Sequence, residues 1–196
     1  MSKTFDNISE MKRQQIIEVA IEEFGTYGYE LASTNRMVKT LNVSKGSLFK
    51  YFPTKLELYR YLVGFATDRL TGYINEHIEL VATQNWREQV LNYCATEFDF
   101  LILEPKLYQF FHKVIAELNQ PILKAVKTDL MAESRSYLIK IYENVPIEPT
   151  LHEHISFIIK GYNEQFMMDF TNAFFDEASK KKYLKGLSVH LDMIKG

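Results

Sequence analysis

Apolar residues recur at three- and four-residue intervals along nearly the whole chain, and no run of four to eight residues alternates as a half-buried strand does. The pattern predicts an all-α protein. Ile16, Ile17, Ala20, Ile21 and Phe24 form one stripe, which predicts a first helix over about 9–25, with Ser9 as N-cap and Gly25 and Gly28 as stop signals. Ser33 or Thr34 can cap a short second helix that turns Met37, Val38 and Leu41 to one face and ends near Asn42, a residue that tolerates a left-handed turn. Ser44 caps a third, through about Tyr51, with Leu48 and Phe52 inward and Lys45, Ser47 and Lys50 outward, before Pro53 breaks the run.

Thr54 opens a long helix expected to continue to about Val81 across Gly64 and Gly72. Further helices are expected at about 85–103, 105–117, 119–144, 150–174 and 177–195, broken at Pro105, at Asn119 to Pro121, at Pro146 to Pro149 and at Asp176. Two short helices joined by Asn42-Val43-Ser44 and preceded by a longer one have the proportions of a helix-turn-helix. The chain therefore divides into a candidate DNA-binding domain, 1–53, and a second helical domain, 54–196. An ordinary helical pair with solvated lysines would show the same pattern.

Charge sharpens the first alternative. The total is only −2, but between residues 31 and 60 Arg36, Lys39, Lys45, Lys50, Lys55 and Arg60 face Glu57 alone, a local basic patch of the kind that attracts a polyanion. In a helix-turn-helix the second short helix enters the major groove; Ser44, Lys45 and Ser47 supply donors there, and Gly46 permits close approach. The longest stretch free of Asp, Glu, Lys and Arg is Gln89 to Thr96, too short to span a membrane, and no apolar run follows the N-terminal basic residues as in a secretory signal. A cytoplasmic protein is expected. One cysteine, Cys94, offers neither an internal disulfide nor a thiolate metal site, and the five histidines have no ligand spacing. No cofactor, metal or catalytic residue is expected, because no phosphate loop, nucleophile elbow or His-Glu-x-x-His is present.

Residues 13–58 resemble the DNA-binding domain of the tetracycline-repressor-like (TetR) family of bacterial transcription regulators. The resemblance rests on Ile17, Ala20, Phe24, Gly28 and Tyr29, on Thr34, and on the run Val43 to Phe49 leading to Tyr51, Phe52 and Lys55. It implies that Lys45, Gly46 and Ser47 start the recognition helix, that Lys50 lies further along it, and that Thr34, Tyr51 and Lys55 contact phosphate. Phe49 stands where the family usually has Tyr, so one hydroxyl contact is lost; Met37-Val38 and Leu41-Asn42 also depart from the usual pairs.

The second region is dense in aromatic and Met residues, most of which must be core. The resemblance implies a small-molecule effector there, hydrophobic or aromatic, with Tyr93, Cys94, Glu97, Phe98, Phe111, His112, Tyr162, Asn163 and Phe166 as candidate contacts and Gln165 as a further polar candidate. Ile155 and Ile159, then Leu184, Leu187 and Leu191, form stripes that either pack within one chain or, as the resemblance implies, build a four-helix dimer interface. The implied function is a ligand-responsive, homodimeric repressor on a pseudo-palindromic operator. An activator or a nucleoid-associated DNA-binding protein shares all these residues, and a ligand-binding enzyme or carrier is the remaining class.

Overall fold

The computed structural model describes residues 5, 7–78, 85–130, 149–169 and 176–194, and every regular element among them is a helix. In chain order these are α1 (Glu10–Leu31), α2 (Thr34–Thr40), α3 (Lys45–Tyr51), α4 (Lys55–His77), α5 (Trp86–Leu103), α6 (Pro105–Glu117), a 3-10 turn (Pro121–Leu123) running into helical residues 124–130, α7 (Pro149–Asp169) and α8 (Glu177–Asp192). The end of the expected α4 beyond residue 78 and the expected helical stretches 131–144 and 170–174 fall outside the described residues.

The local signals act much as their chemistry requires. Ser33 accepts the Arg36 N–H and Ser44 the Ser47 N–H, satisfying orphan donors at the starts of α2 and α3. Thr54 and Glu57 form a reciprocal capping box, Glu57 N to Thr54 Oγ1 at 3.1 Å and Thr54 N to Glu57 Oε2 at 3.2 Å. Asn42 takes a φ of 51° in the turn between α2 and α3.

Of the two glycines expected to stop the first helix, Gly25 lies inside it and Gly28 breaks it. Gly25 lies where a Cβ would stand 3.2 Å from the Phe110 backbone nitrogen, so it serves close approach to α6 rather than termination. Gly28, at φ 73° and ψ 177°, is not helical and does interrupt the helix as expected, with about one further turn following it to Leu31.

Chain contacts divide the molecule into two compact units, 1–68 with 106–127 and 69–105 with 128–196. The boundary expected after residue 53 does not coincide with these units: α6 supplies Leu107, Phe110 and Val114 to the core of the first, and the first half of α4 supplies Leu58, Tyr59 and Leu62. The heart of that core is aromatic, with Tyr59 edge-on to Phe24, Tyr29 and Phe110. In the second unit α5 and α8 run antiparallel. Arg87 donates to the carbonyls of Leu191 and Ile194 at one end, and Lys180 pairs with Asp99 at the other.

Candidate functional site

The α2–α3 pair is held on the first unit by a polar clamp. Glu23, on α1, accepts the Ser33 N–H at 2.7 Å and the Arg36 Nε–H at 2.9 Å, while the Arg36 guanidinium also donates to the Leu31 carbonyl at 2.9 Å and lies over the Tyr27 ring. One carboxylate thus serves the start of α2 and one guanidinium the end of α1, and their charge-assisted bonds keep Arg36 ionised. Arg36 is therefore spent on the scaffold, although its charge counted toward the basic patch.

Lys55 is spent in the same way. Its Nζ donates to the carbonyls of Glu30 and Ala32 at 3.1 and 3.2 Å and sits 4.7 Å from the centre of the Tyr29 ring, closing the C-terminal end of α1. Tyr51 is likewise buried, its ring packed on Phe5. Thr34 is half-buried at the first position of α2.

What remains outward on α3 is Lys45, Gly46 and Lys50, with Lys39 outward on α2. Lys45 rides 5.7 Å from the ring centre of half-buried Phe49. The Ser44 and Ser47 hydroxyls lie 2.9 Å apart and cap the helix between them. A Cβ on Gly46 would meet only the Ser44 hydroxyl, at 3.9 Å, so nothing within the chain requires glycine there. Leu48 faces the core beneath this surface. The result is a short helix, rigidly seated, presenting lysines and a bare backbone.

The candidate effector residues are divided between the two units. Phe111 and His112 belong to the first unit, whereas Tyr93, Cys94, Glu97, Phe98, Tyr162, Asn163 and Phe166 belong to the second. There Phe98, Phe166 and Tyr162 surround Tyr183, with ring centres 4.2, 5.0 and 5.0 Å from it. The Tyr183 hydroxyl donates to Asn163 Oδ1 and is hydrogen-bonded to the Cys94 thiol. Burial pushes both the thiol and the phenol well above their usual values. Glu97 shares this environment, and burial lifts its carboxyl from 4.5 to about 7. Tyr183 is not among the candidates singled out from the sequence; a phenol next to the apolar stripe at Leu184, Leu187 and Leu191 is the signal of a buried polar partner.

The stripe itself needs correcting. Ile155, Ile159, Leu187 and Leu191 are buried within the single chain and Leu184 is half-buried, because α8 packs against both α5 and α7. Those inner positions are not free to meet a second copy. Among the described residues, no group of three or more His, Cys, Asp or Glu could hold a metal, and no helix is long and apolar enough to cross a membrane.

Residues 16–62 match the family of bacterial regulatory proteins described as tetR. That segment begins in α1 and ends in α4, and so contains the α2–α3 pair, its turn and the residues that clamp it. The α2–α3 segment of this chain is thus similar to the tetR family. The chain is 32% identical over 88 residues to the nucleoid occlusion factor SlmA of Actinobacillus pleuropneumoniae serotype 5b, a match that covers 44% of this chain and 44% of that relative's length. It is 23% identical over 157 residues to the HTH-type transcriptional repressor AcnR of Corynebacterium diphtheriae, covering 78% of this chain and 79% of the relative. A TetR-like transcriptional regulator from Rhodococcus sp. RHA1 shares the fold with a TM-score of 0.70, over 96% of this chain and 99% of that one, at 17% identity.

Proposed function

We propose that the protein is a dimeric repressor that binds a pseudo-palindromic operator through α3 and is released by a small, largely apolar effector held in the second unit. The observation that carries the DNA half is the outward row of Lys45, Gly46 and Lys50 on a helix whose inner face is fixed by Leu48 and Tyr51. Similarity to AcnR, a repressor by name, supports the sign of regulation. The aromatic group around Tyr183 supports the effector half. The helix α4 contributes to both compact units without a break, which offers a covalent route from effector to DNA.

Selection of bound fragments from a random DNA pool tests the proposal directly. Enriched sites should hold two half-sites whose centres lie about 34–36 Å apart or at a multiple of that spacing. An effector coupled by about 1–3 kcal/mol would weaken operator binding roughly 5- to 150-fold. Failure to enrich any sequence removes the repressor reading. Similarity to SlmA favours a second reading, a nucleoid-associated factor; many dispersed sites, with no small molecule altering affinity, would select it.

A further inference from the structure

We propose that Phe5, which lies ahead of α1, is a positioning residue for α3: it closes the ring cluster at the end of that helix and so sets the orientation in which Lys45, Gly46 and Lys50 meet DNA. This inference rests on the DNA half of the reading above, and it adds a residue that lies outside the segment, 16–62, matching the tetR family.

The seven residues of α3 cannot hold a helix through backbone bonds alone, since isolated helices shorter than about 12–15 residues are marginal in water. Packing and capping must therefore place it. At its start the Ser44 side chain accepts the Ser47 N–H, and in its middle Leu48 is buried. At its end Tyr51 and the C-cap residue Phe52 are buried, and Pro53 follows directly, so the last turn gains no stiffness from a continuing helix.

Phe5 supplies the hold at that end. It is fully buried although it belongs to no helix. Its ring centre stands 4.7 Å from that of Phe52 and 5.3 Å from that of Tyr61 on α4, edge-on to both, and 5.6 Å from that of Tyr51. Phe52 and Tyr61 are themselves 5.2 Å apart. Two of the three rings around Phe5 thus belong to the end of α3, and the third ties them to the helix beyond Pro53. Contacts between ring edges and faces are directional, so the cluster fixes the rotation of the last turn as well as its depth. Rotation is what aims the outward side chains, and exposed Lys50 directly precedes Tyr51.

A positioning role differs from simple stability in what it does to DNA binding. Attraction to phosphates is long-ranged and tolerates small displacements, whereas hydrogen bonds to base edges weaken steeply with distance and angle. A loosened α3 on an intact unit should still bind DNA and discriminate less between sequences.

Anisotropy titrations of wild type, Phe5→Leu and Phe5→Ala test this, on the duplex enriched by selection and on a scrambled duplex of equal length, at a temperature where melting shows each protein folded. Phe5→Ala should lose about tenfold or more in affinity for the enriched duplex and little for the scrambled one. Phe5→Leu, which refills most of the volume, should recover most of that loss. Hydrogen exchange gives a readout that general stability would not move: in Phe5→Ala the amides of Leu48 to Phe52 should exchange faster while those of Ala20 to Phe24 in α1 stay as in wild type. Unchanged affinity, equal losses on both duplexes, or exchange quickened alike in α1 and α3 would overturn the proposal and leave the DNA reading standing. Should alanine prevent folding, Phe5→Leu decides: a selective loss on the enriched duplex supports the role, and wild-type behaviour overturns it. If selection with wild type enriches no sequence, the DNA reading falls and this inference with it.

Discussion

Single residues in the first unit separate into those that build the proposed DNA-binding surface and those that form it. Lys55 builds it: with its ammonium donating to one carbonyl in the last turn of α1 and one just after it, Lys55→Ala removes a helix cap and a ring contact together. The expected result is a loss of about 1–2 kcal/mol in urea melts, accompanied by weaker DNA binding. Gly46 is the opposite case. Alanine there meets open space, and relief of glycine's entropy should raise stability by about 0.5–1 kcal/mol. If α3 approaches DNA closely at that point, Gly46→Ala should nevertheless weaken operator binding in an anisotropy titration; unchanged affinity would show that the backbone there stays clear of the duplex.

Glu97 yields a residue-scale prediction about the fold alone. Its carboxyl holds a proton in the folded protein up to about 7 but only to about 4.5 when unfolded, so between those values the native state binds more protons. Its contribution is therefore complete below pH 4.5 and is lost as pH rises to 7. Glu97→Gln abolishes that dependence. At pH 8 the variant should be more stable than wild type by on the order of 2–3 kcal/mol, with the gap closing at pH 4.5.

At the scale of elements, the meeting of α1 and α6 turns on two glycines. A Cβ on Gly28 would stand 2.1 Å from Glu117 Oε1, and Glu117 Oε2 accepts the Tyr29 N–H at 2.6 Å. Gly28→Ala must both hold alanine at a φ of 73° and displace that carboxylate. The backbone term alone costs roughly 1–3 kcal/mol, so the variant should melt well below wild type, whereas Gly25→Ala, facing a 3.2 Å approach to backbone, should be milder.

These glycines show what was legible. The helix-turn-helix was written in caps and a turn, Ser33, Ser44, Asn42 and Thr54, because those signals act between residues near in sequence. The partners of Gly25 and Gly28 lie more than 80 residues away, and spacing says nothing about them. For the same reason Lys55 and Arg36 read as free cations: the carbonyls and the carboxylate they serve belong to α1 and the turn after it. Burial inside one chain and burial between two chains also look alike in sequence, which is why the stripe on α7 and α8 left both possibilities open.

For the whole molecule, that distinction decides where a second copy can dock. With Leu187 and Leu191 fully covered, the proposed dimer must use side chains that remain outward, and among the described residues of α7 and α8 Phe157 is the largest apolar one, 78% exposed. Phe157→Glu should dissociate the dimer in sedimentation without changing the melting of each chain much. Leu187→Glu should instead unfold the second unit, since a carboxylate would be buried unpaired. A Phe157→Glu protein that stays dimeric with full affinity would move the interface elsewhere.

The only thiol in the chain is fully buried, bonded to Tyr183, and held in its unreactive protonated form. An alkylating reagent can reach it only when the helices around it separate. The modification rate of the unaltered protein is thus a clock for opening of the second unit, with no introduced label and no competing cysteine. An effector held in the second unit, as proposed, should slow that clock in proportion to its occupancy. If operator DNA binds the first unit as proposed, it should change the rate only as far as the two units are energetically linked, so one rate measured with and without DNA would give that linkage as a number.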